Sequence, residues 1–543
     1  MDTSMSLPRF GLVMVGLMWV VPELCYRHDY PLTSFYQEWI AAGLGLLAMI
    51  PLAGRKFREK PEIPRIILLP AGMLLIVIIQ LMLGKIAHLG QAMLFCLYFL
   101  WAGFLVILGR HLREEIGLPA AALVLASFLL AGSELSALAG FLQHFHWHTF
   151  LDHYVSARNA AAVYGNMVQP NHFADYICLG LVSLGLLHSR FAWRWQTVLF
   201  AVPLLFVLVL SGSRSAWLYL ACMTAMAGLF REGRFLKYGL SILAGFALMH
   251  FVVEIPWLAA TSGNVTSAGR LFREASSGSI RLHLWHEAWT IFLNHPILGA
   301  GFGQYAWQHF SLGPVLRDRV IVGAYNNAHD IAMQLAAETG LAGLAVFFTT
   351  SFFWIRQALG AKPDSYRCWG VTLLAVMGIH SLLEYPLWYA HFIGIFAILL
   401  GMLDDTFWKP DLRSRLPASA MLLLGWLALF QILSDYRSLE GLLKKKTGES
   451  DIAYYERARA TFSHVGITSP IRPYMELAMS SLIVVNPEHL DDKISLNGAV
   501  LHFIPTSQVA YRQARLLALS GKKAEAGSIM AMAAWSYPAK SGN

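Results

Sequence analysis

Residues 65–84 read RIILLPAGMLLIVIIQLMLG, an apolar run with one glutamine, Gln80, and no charge beyond Arg65. Arg55, Lys56, Arg58 and Lys60 precede it and Lys85 follows. A transmembrane helix needs roughly 20 mostly apolar residues, so this stretch reads as a membrane span. The same ruler, moved outward, predicts about thirteen spans. They fall near 8–24, 36–53, 65–84, 90–109, 117–140, 172–188, 195–211, 214–230, 236–254, 330–354, 367–383, 387–403 and 416–435. The first has no small-residue cleavage site and is followed by many more spans, so it does not read as a cleavable signal peptide. The connections within 195–211/214–230 and 367–383/387–403 are only a few residues long.

Composition agrees. Of 543 residues 56% are hydrophobic and 14% charged, where globular domains average about 25% charged. A water-soluble chain of this kind would expose large sticky patches, which excludes an ordinary soluble enzyme, a disordered protein and a disulfide-rich secreted module. Cys25, Cys96, Cys178, Cys222 and Cys368 are scattered, with no close pair to suggest a disulfide framework or a zinc site. The expected fold class is an all-α polytopic integral membrane protein.

Loop charge sets the topology. Alternate loops carry Arg55, Lys56, Arg58, Lys60 and Arg65; Arg110 and Arg113; Arg190 and Arg194; Arg231, Arg234 and Lys237; Arg356, Lys362 and Arg367; and Lys409, Arg413 and Arg415. The intervening short loops hold only Arg27, Lys85, Arg158 and Arg214. Lys and Arg stay on the cytoplasmic side, so the N-terminus is expected inside and the tail outside. The net charge of +8 is mostly this topology signal and not a nucleic-acid footprint. Segments 141–171, 255–329 and 436–543 fall outside, in the periplasm of a Gram-negative host. The expected domains are 1–435, a transmembrane unit with 255–329 as its large periplasmic loop, and 436–543, a periplasmic helical unit. Within the latter, Tyr511–Pro538 fits two amphipathic helices joined at Gly521, with Ala514, Ala524, Ala526 and Ala534 where the helices approach. That is similar to a tetratricopeptide hairpin, with a generic helical cap as the alternative.

Polar residues at membrane depth are costly and point to function. Here they collect at the outer span ends. Gln169-Pro170-Asn171-His172-Phe173-Ala174-Asp175-Tyr176 enters the sixth span; Pro170 suits a helix start, with Asn171 as its cap. An interfacial cap with a tyrosine anchor is the bland alternative. Ser211-Gly212-Ser213-Arg214-Ser215-Ala216-Trp217 forms a tight outer turn whose single cation either snorkels or binds an anion. In the large loop, Ser279-Ile280-Arg281-Leu282-His283-Leu284-Trp285-His286-Glu287-Ala288-Trp289 has the apolar spacing of an amphipathic helix at the membrane surface. His295–Gly303 follows it; no strand precedes that glycine-rich run, so a tight turn is expected there and not a dinucleotide site. Finally, Tyr325-Asn326-Asn327-Ala328-His329-Asp330 enters the tenth span. With Asn327 as N-cap, His329 would lie in the first helical turn, where the positive helix end attracts anions and disfavours an imidazolium. Glu384-Tyr385-Pro386 occupies another short outer turn. His144, His146, His148 and His153 read more simply as an interfacial segment than as a zinc site. Asp404-Asp405 is cytoplasmic, and no D-x-D motif lies outside to hold a metal for a nucleotide-sugar transferase.

At these clusters, VYGNMVQPNHFADY, LSGSRSAW, SIRLHLW with HPILGAGFG, YNNAHD and HSLLEYPLWYAHF, the sequence resembles the bacterial O-antigen ligase and polymerase superfamily. Within it the resemblance is to protein O-oligosaccharyltransferases of the pilin-glycosylating type. The resemblance implies an undecaprenyl pyrophosphate-linked oligosaccharide as donor and a pilin or other periplasmic protein as acceptor. It implies His329 as the essential histidine, Arg214 and Arg281 as essential arginines, and Gln169 and Tyr385 as further catalytic positions. Asn171, His172, Asn326, Asn327, Asp330 and Glu384 are the expected substrate-binding residues. No cofactor, metal or nucleic acid is expected, because the donor already carries its leaving group; membrane lipids are the remaining partner. The other readings are an O-antigen ligase using lipid A-core sugar, a polymerase extending another lipid-linked glycan, and a transporter or flippase. Transporters show inverted repeats and broken helices at the midplane, whereas the polar residues here gather at one face.

Overall fold

A computed structural model describes residues 6–157, 162–255, 258, 280–411 and 416–538. Arg158, Ser279 and most of the preceding loop, Arg413 and Arg415 lie outside the described residues. The described chain is helical apart from one two-stranded pairing, Ile63–Pro64 with Phe407–Trp408. Each expected span falls on a helix; the ends differ most where Leu89–Ile116 and Leu416–Leu443 run on past the hydropathy boundaries at 109 and 435. Eight segments among the described residues are long and apolar enough to cross a membrane: Leu7–Leu24, Phe35–Ala53, Arg65–Met82, Leu89–Ile116, Leu118–Phe145, Gly233–Val252, Ile331–Gly360 and Ala418–Leu443. Trp195–Leu210, Ser215–Leu229 and Ala390–Leu403 are shorter apolar helices. Pro170–Phe191 and Ser365–Ser381 are interrupted by histidines and polar residues. The chain is thus an all-α polytopic membrane protein.

Its residues divide into two compact units, Met1–Leu68 with Trp101–Ser277 and Thr350–Trp426, and Leu69–Leu100 with Gly278–Thr349 and Leu427–Asn543. In the first, helix Pro170–Phe191 is buried along almost its whole length. A helix buried on all sides needs neighbours all round, and small residues let them approach. A Cβ at Gly132 would overlap Tyr176, one at Gly180 would overlap Ser133, and one at Gly185 would overlap Phe235. The Tyr176 hydroxyl still finds an acceptor, Trp19 O at 2.8 Å. At the end expected in the cytoplasm three of the basic residues pair with carboxylates. Arg110 forks onto Glu62 at 2.8 and 2.6 Å, and Arg113 and Arg367 reach Asp405 at 2.7 and 2.8 Å. Asp404 accepts from Ile66 N at 2.9 Å. The acidic pair is therefore a structural clasp.

In the second unit helix Tyr305–Leu316 is two-faced. Tyr305 packs with Ala288, Ile291, Ala300, Ala328 and Ala337. Phe310, fully buried, enters a cluster with Val500, Leu501, Val509, Ala510 and Ala533 from the tail. The tail hairpin is Ser507–Leu519 and Lys523–Ser536, turning at Gly521 with φ +81°. Ala514 and Ala526 are buried there as expected, but Ala524 and Ala534 face solvent and Ala533 takes the inner position. The seven-residue spacing from 526 to 533 keeps both on one helical face.

The glycine-rich run is a tight turn, and it docks into a break in the helix that follows His329. Gly299, Gly301 and Gly303 all have positive φ, as does Gly340 inside Ile331–Gly360. Broken there, the helix exchanges backbone hydrogen bonds with the turn. Ala300 N donates to Ala337 O (2.9 Å), Gly301 N to Glu338 O (3.1 Å), Leu341 N to Pro296 O (2.8 Å) and Ala342 N to Ile297 O (3.0 Å). Gln80, the one polar residue of the run quoted first, donates to Leu298 O and Glu338 O at 2.7 Å each and accepts from Phe302 N at 2.9 Å. Buried backbone groups freed by the break are thereby satisfied.

Candidate active site

In the first unit the structure brings three of the sequence clusters together. Gln169, not Asn171, caps helix Pro170–Phe191: its side chain accepts from His172 N at 2.6 Å, and Pro170 takes the first helical position. The extended backbone of Gln169 (φ −137°, ψ 115°) suits a cap, whereas a residue after the N1 proline is already helical. Asn171 is released for another task. Its amide donates to Glu384 Oε1 at 2.9 Å and its carbonyl accepts from Ser213 Oγ at 2.8 Å. One side chain thus ties the turn before Arg214 to the turn before Tyr385. Arg214 follows Ser213 directly and is half-buried at the mouth of helix Ser215–Leu229. Gly212, at φ +63°, makes the bend, and Ser211 Oγ accepts from Ser213 N at 3.2 Å.

Tyr385 opens the turn Pro386–Trp388, its ring 6.0 Å from that of Tyr389. Burial, and then the neighbouring Glu384 carboxylate, push the Tyr385 phenol above its ordinary range, so it remains a hydrogen-bond donor. His172 is buried against the rings of His380, Tyr389 and Phe392 at 5.3, 4.9 and 5.2 Å. It reads as a packed wall of the site more than as an open ligand. The sequence reading assigned no role to the pair Asp175–His380, which lies 2.9 Å apart and fully buried. A carboxylate and an imidazole in two otherwise apolar spans were the signal, since each needs the other at that depth.

The second unit holds the remaining candidates. His329 is not in the first helical turn. Helix Ile331–Gly360 begins after it, and Asp330 caps it, its Oδ1 accepting from Met333 N at 2.9 Å. Asn327 makes a local turn instead, accepting from His329 N at 2.7 Å. Asn and Asp compete for this role because both bond backbone N–H groups a few residues on; two in succession make the helix start later than the first. His329 has φ +54°, a left-handed conformation that costs a non-glycine residue about 1–3 kcal/mol and tends to occur at functional sites. The segment is held on both sides: Ala328 is fully buried and its N–H donates to Gln334 Oε1 at 2.7 Å. Asn327 and Asp330 are buried and Asn326 is exposed. Asn327 and Asp330 thus each spend a side-chain oxygen on the backbone of this segment, while Asn326 is exposed.

Arg281 is half-buried in the first turn of helix Ile280–Asn294. Leu284, Ala288 and Ile291 form the buried stripe, while Leu282, Trp289 and Leu293 stay exposed on another face. The exposed face is thus itself apolar and the buried one carries Glu287, so the apolar–polar division expected of an amphipathic helix is not seen here. His283 pairs with Asp318 at 2.5 Å. Asp318 is held below the ordinary carboxylate range; its partial burial opposes this, and the Val320 N–H and His283 outweigh it. Among the described residues no cluster of His, Cys, Asp or Glu is arranged to hold a metal ion.

The matches to known families fall on these same segments. A model described as "Protein glycosylation ligase" matches residues 163–188, which include Gln169, Asn171, His172 and Asp175. One described as "O-Antigen ligase" matches 199–348, which include Arg214, Arg281 and His329. A third, "Virulence factor membrane-bound polymerase, C-terminal", matches 368–542, from His380, Glu384 and Tyr385 through the tail. Along 462 residues the chain is 26% identical to the "General O-oligosaccharyltransferase" of Acinetobacter baylyi (strain ATCC 33305 / BD413 / ADP1), covering 80% of this chain and 77% of that protein. The resemblance carried by the motifs, to a glycan-transferring enzyme of the O-antigen ligase and O-oligosaccharyltransferase type, is thus borne out along four-fifths of the chain.

Proposed function

We propose that the protein transfers an oligosaccharide en bloc from undecaprenyl pyrophosphate to serine or threonine hydroxyls of periplasmic proteins such as pilin, at the inner membrane and on its periplasmic face. The observation that carries the reading is the tether at Asn171. It joins, in one hydrogen-bonded group, the segment matched by the protein glycosylation ligase model and the turn that presents Arg214. In the reaction an acceptor hydroxyl attacks the anomeric carbon, the bond from that carbon to the pyrophosphate oxygen breaks, and lipid pyrophosphate leaves. Charge grows on the leaving group, so fixed cations are needed there. Arg214 and Arg281 each offer a bidentate fork to phosphate oxygens. The hydroxyl needs a proton acceptor, and His329 is assigned that role with Glu384 in reserve. Gln169 and Tyr385 orient the sugar or the acceptor.

Residues 436–543 are read as the periplasmic domain, with a tetratricopeptide-like hairpin at its end. The membrane region 1–435 is read as thirteen crossings. The O-antigen ligase match over 199–348 keeps lipid A-core as a second acceptor to examine. The test offers purified protein one donor and three acceptors in parallel: pilin, lipid A-core, and a second lipid-linked glycan. Donor-dependent gain of the whole glycan by pilin supports the proposal. Transfer only to lipid A-core makes the protein a ligase, and chain growth only on lipid makes it a polymerase.

A further inference from the structure

Helix Ile280–Asn294 carries a carboxylate on its buried face. Glu287 sits among Leu284, Ala288 and Ile291 and is 1% exposed. Its partners come from the next helix. The His309 Nδ1–H donates to both carboxylate oxygens, at 2.9 and 3.0 Å, and the Tyr305 hydroxyl donates to Oε2 at 3.0 Å. His309 is itself 3% exposed. Its second nitrogen, Nε2, lies 3.2 Å from Gly323 O, an oxygen that accepts when the ring carries a proton there. The ring edge of Tyr325 lies against His309, centroids 5.4 Å apart. Gly323 has φ +119° and open space where a side chain would be, so nothing at its own Cα position braces the chain. From it runs Tyr325-Asn326-Asn327-Ala328-His329-Asp330.

A buried carboxylate is costly unless paired and hydrogen-bonded. Here the pairing is spent on a loop backbone a few residues ahead of a strained histidine. We propose that Glu287 and His309 are positioning residues for His329: they anchor the entry to its loop at Gly323 and Tyr325, while Asp330 and Gln334 hold the exit. This rests on the assignment of His329 as the proton acceptor. A general base works only within hydrogen-bond reach of its proton, and displacement by about 1 Å costs as much as 10²-fold in rate.

The test uses full-length protein in lipid nanodiscs and the near-isosteric variants Glu287→Gln and His309→Gln. Two quantities are read: hydrogen exchange across residues 321–330, and transfer kinetics with varied donor. Both variants are expected to speed exchange in that segment, including the Ala328 and His329 amides, while residues 280–316 exchange as in the wild type. The transfer kcat is expected to fall about tenfold or more with donor KM within about twofold, since a base misplaced in the bound complex affects the step after binding. Unchanged exchange in 321–330 overturns the anchor. So does faster exchange spread through 280–316, which marks a general structural role. A fully active His329→Ala would overturn the assignment of the base and not the anchor, because the exchange measurement does not depend on activity.

Discussion

Asn171 is the residue whose place in the sequence said least about its work. Its position after a proline suggested a cap, yet Gln169 reaches the free N–H groups first, and the asparagine becomes a tether between two turns. Both its amide ends are used in fixed sense, with Nδ2 to a carboxylate and Oδ1 to a hydroxyl. Asn171→Asp therefore sets a carboxylate against Glu384. We expect transfer to drop at least about tenfold and stability by about 1–3 kcal/mol, the cost of unsatisfied buried polar groups. Asn171→Asp with Glu384→Gln again sets a donor against an acceptor, with the bond now donated from position 384, and should recover most of the activity. A double variant no better than the single would show that the tether is not what matters. The same scale explains His329. The residue itself was legible from YNNAHD, but its conformation was not, because Asn327 and Asp330 both qualify as caps, and the structure gives the cap to Asp330 and a local turn to Asn327.

Helices were the most readable element. Hydropathy length alone placed each span on a helix, since about 20 apolar residues in lipid have no other way to satisfy their backbone. What it missed were features set by partners distant in sequence. The break at Gly340 and the turn 296–303 explain each other, and neither looks necessary alone. Gly299→Ala tests this. A Cβ there overlaps the Glu338 and Thr339 backbone, and Gly299 has φ +66°. The variant should therefore be destabilised by at least about 1–3 kcal/mol, read as a lower midpoint of thermal unfolding in detergent. A wild-type midpoint would mean that the turn does not dock into the break in solution. The pairings of Glu287 and Asp175 escape the sequence for a related reason. Each is a carboxylate inside an apolar stripe, visible in sequence, but its histidine lies on another helix.

At the scale of the whole molecule, three of the basic loop residues expected to orient the chain also have a structural part, since Arg110, Arg113 and Arg367 close the clasp with Glu62 and Asp405. Reporter fusions after Arg415 and after Leu442 should report opposite sides of the membrane; the same side for both would remove the thirteen-crossing model. Because the proposed donor brings its own leaving group, transfer should persist in EDTA. A loss restored by magnesium or manganese would overturn this metal independence. The central claim is that His329 takes the acceptor proton, and single-turnover transfer from a preloaded donor to pilin by purified His329→Ala tests it most directly. General base help is worth about 10²–10⁴-fold, so the variant should bind donor as the wild type does and leave pilin at its unmodified mass; transfer above about a tenth of the wild-type rate would contradict the assignment.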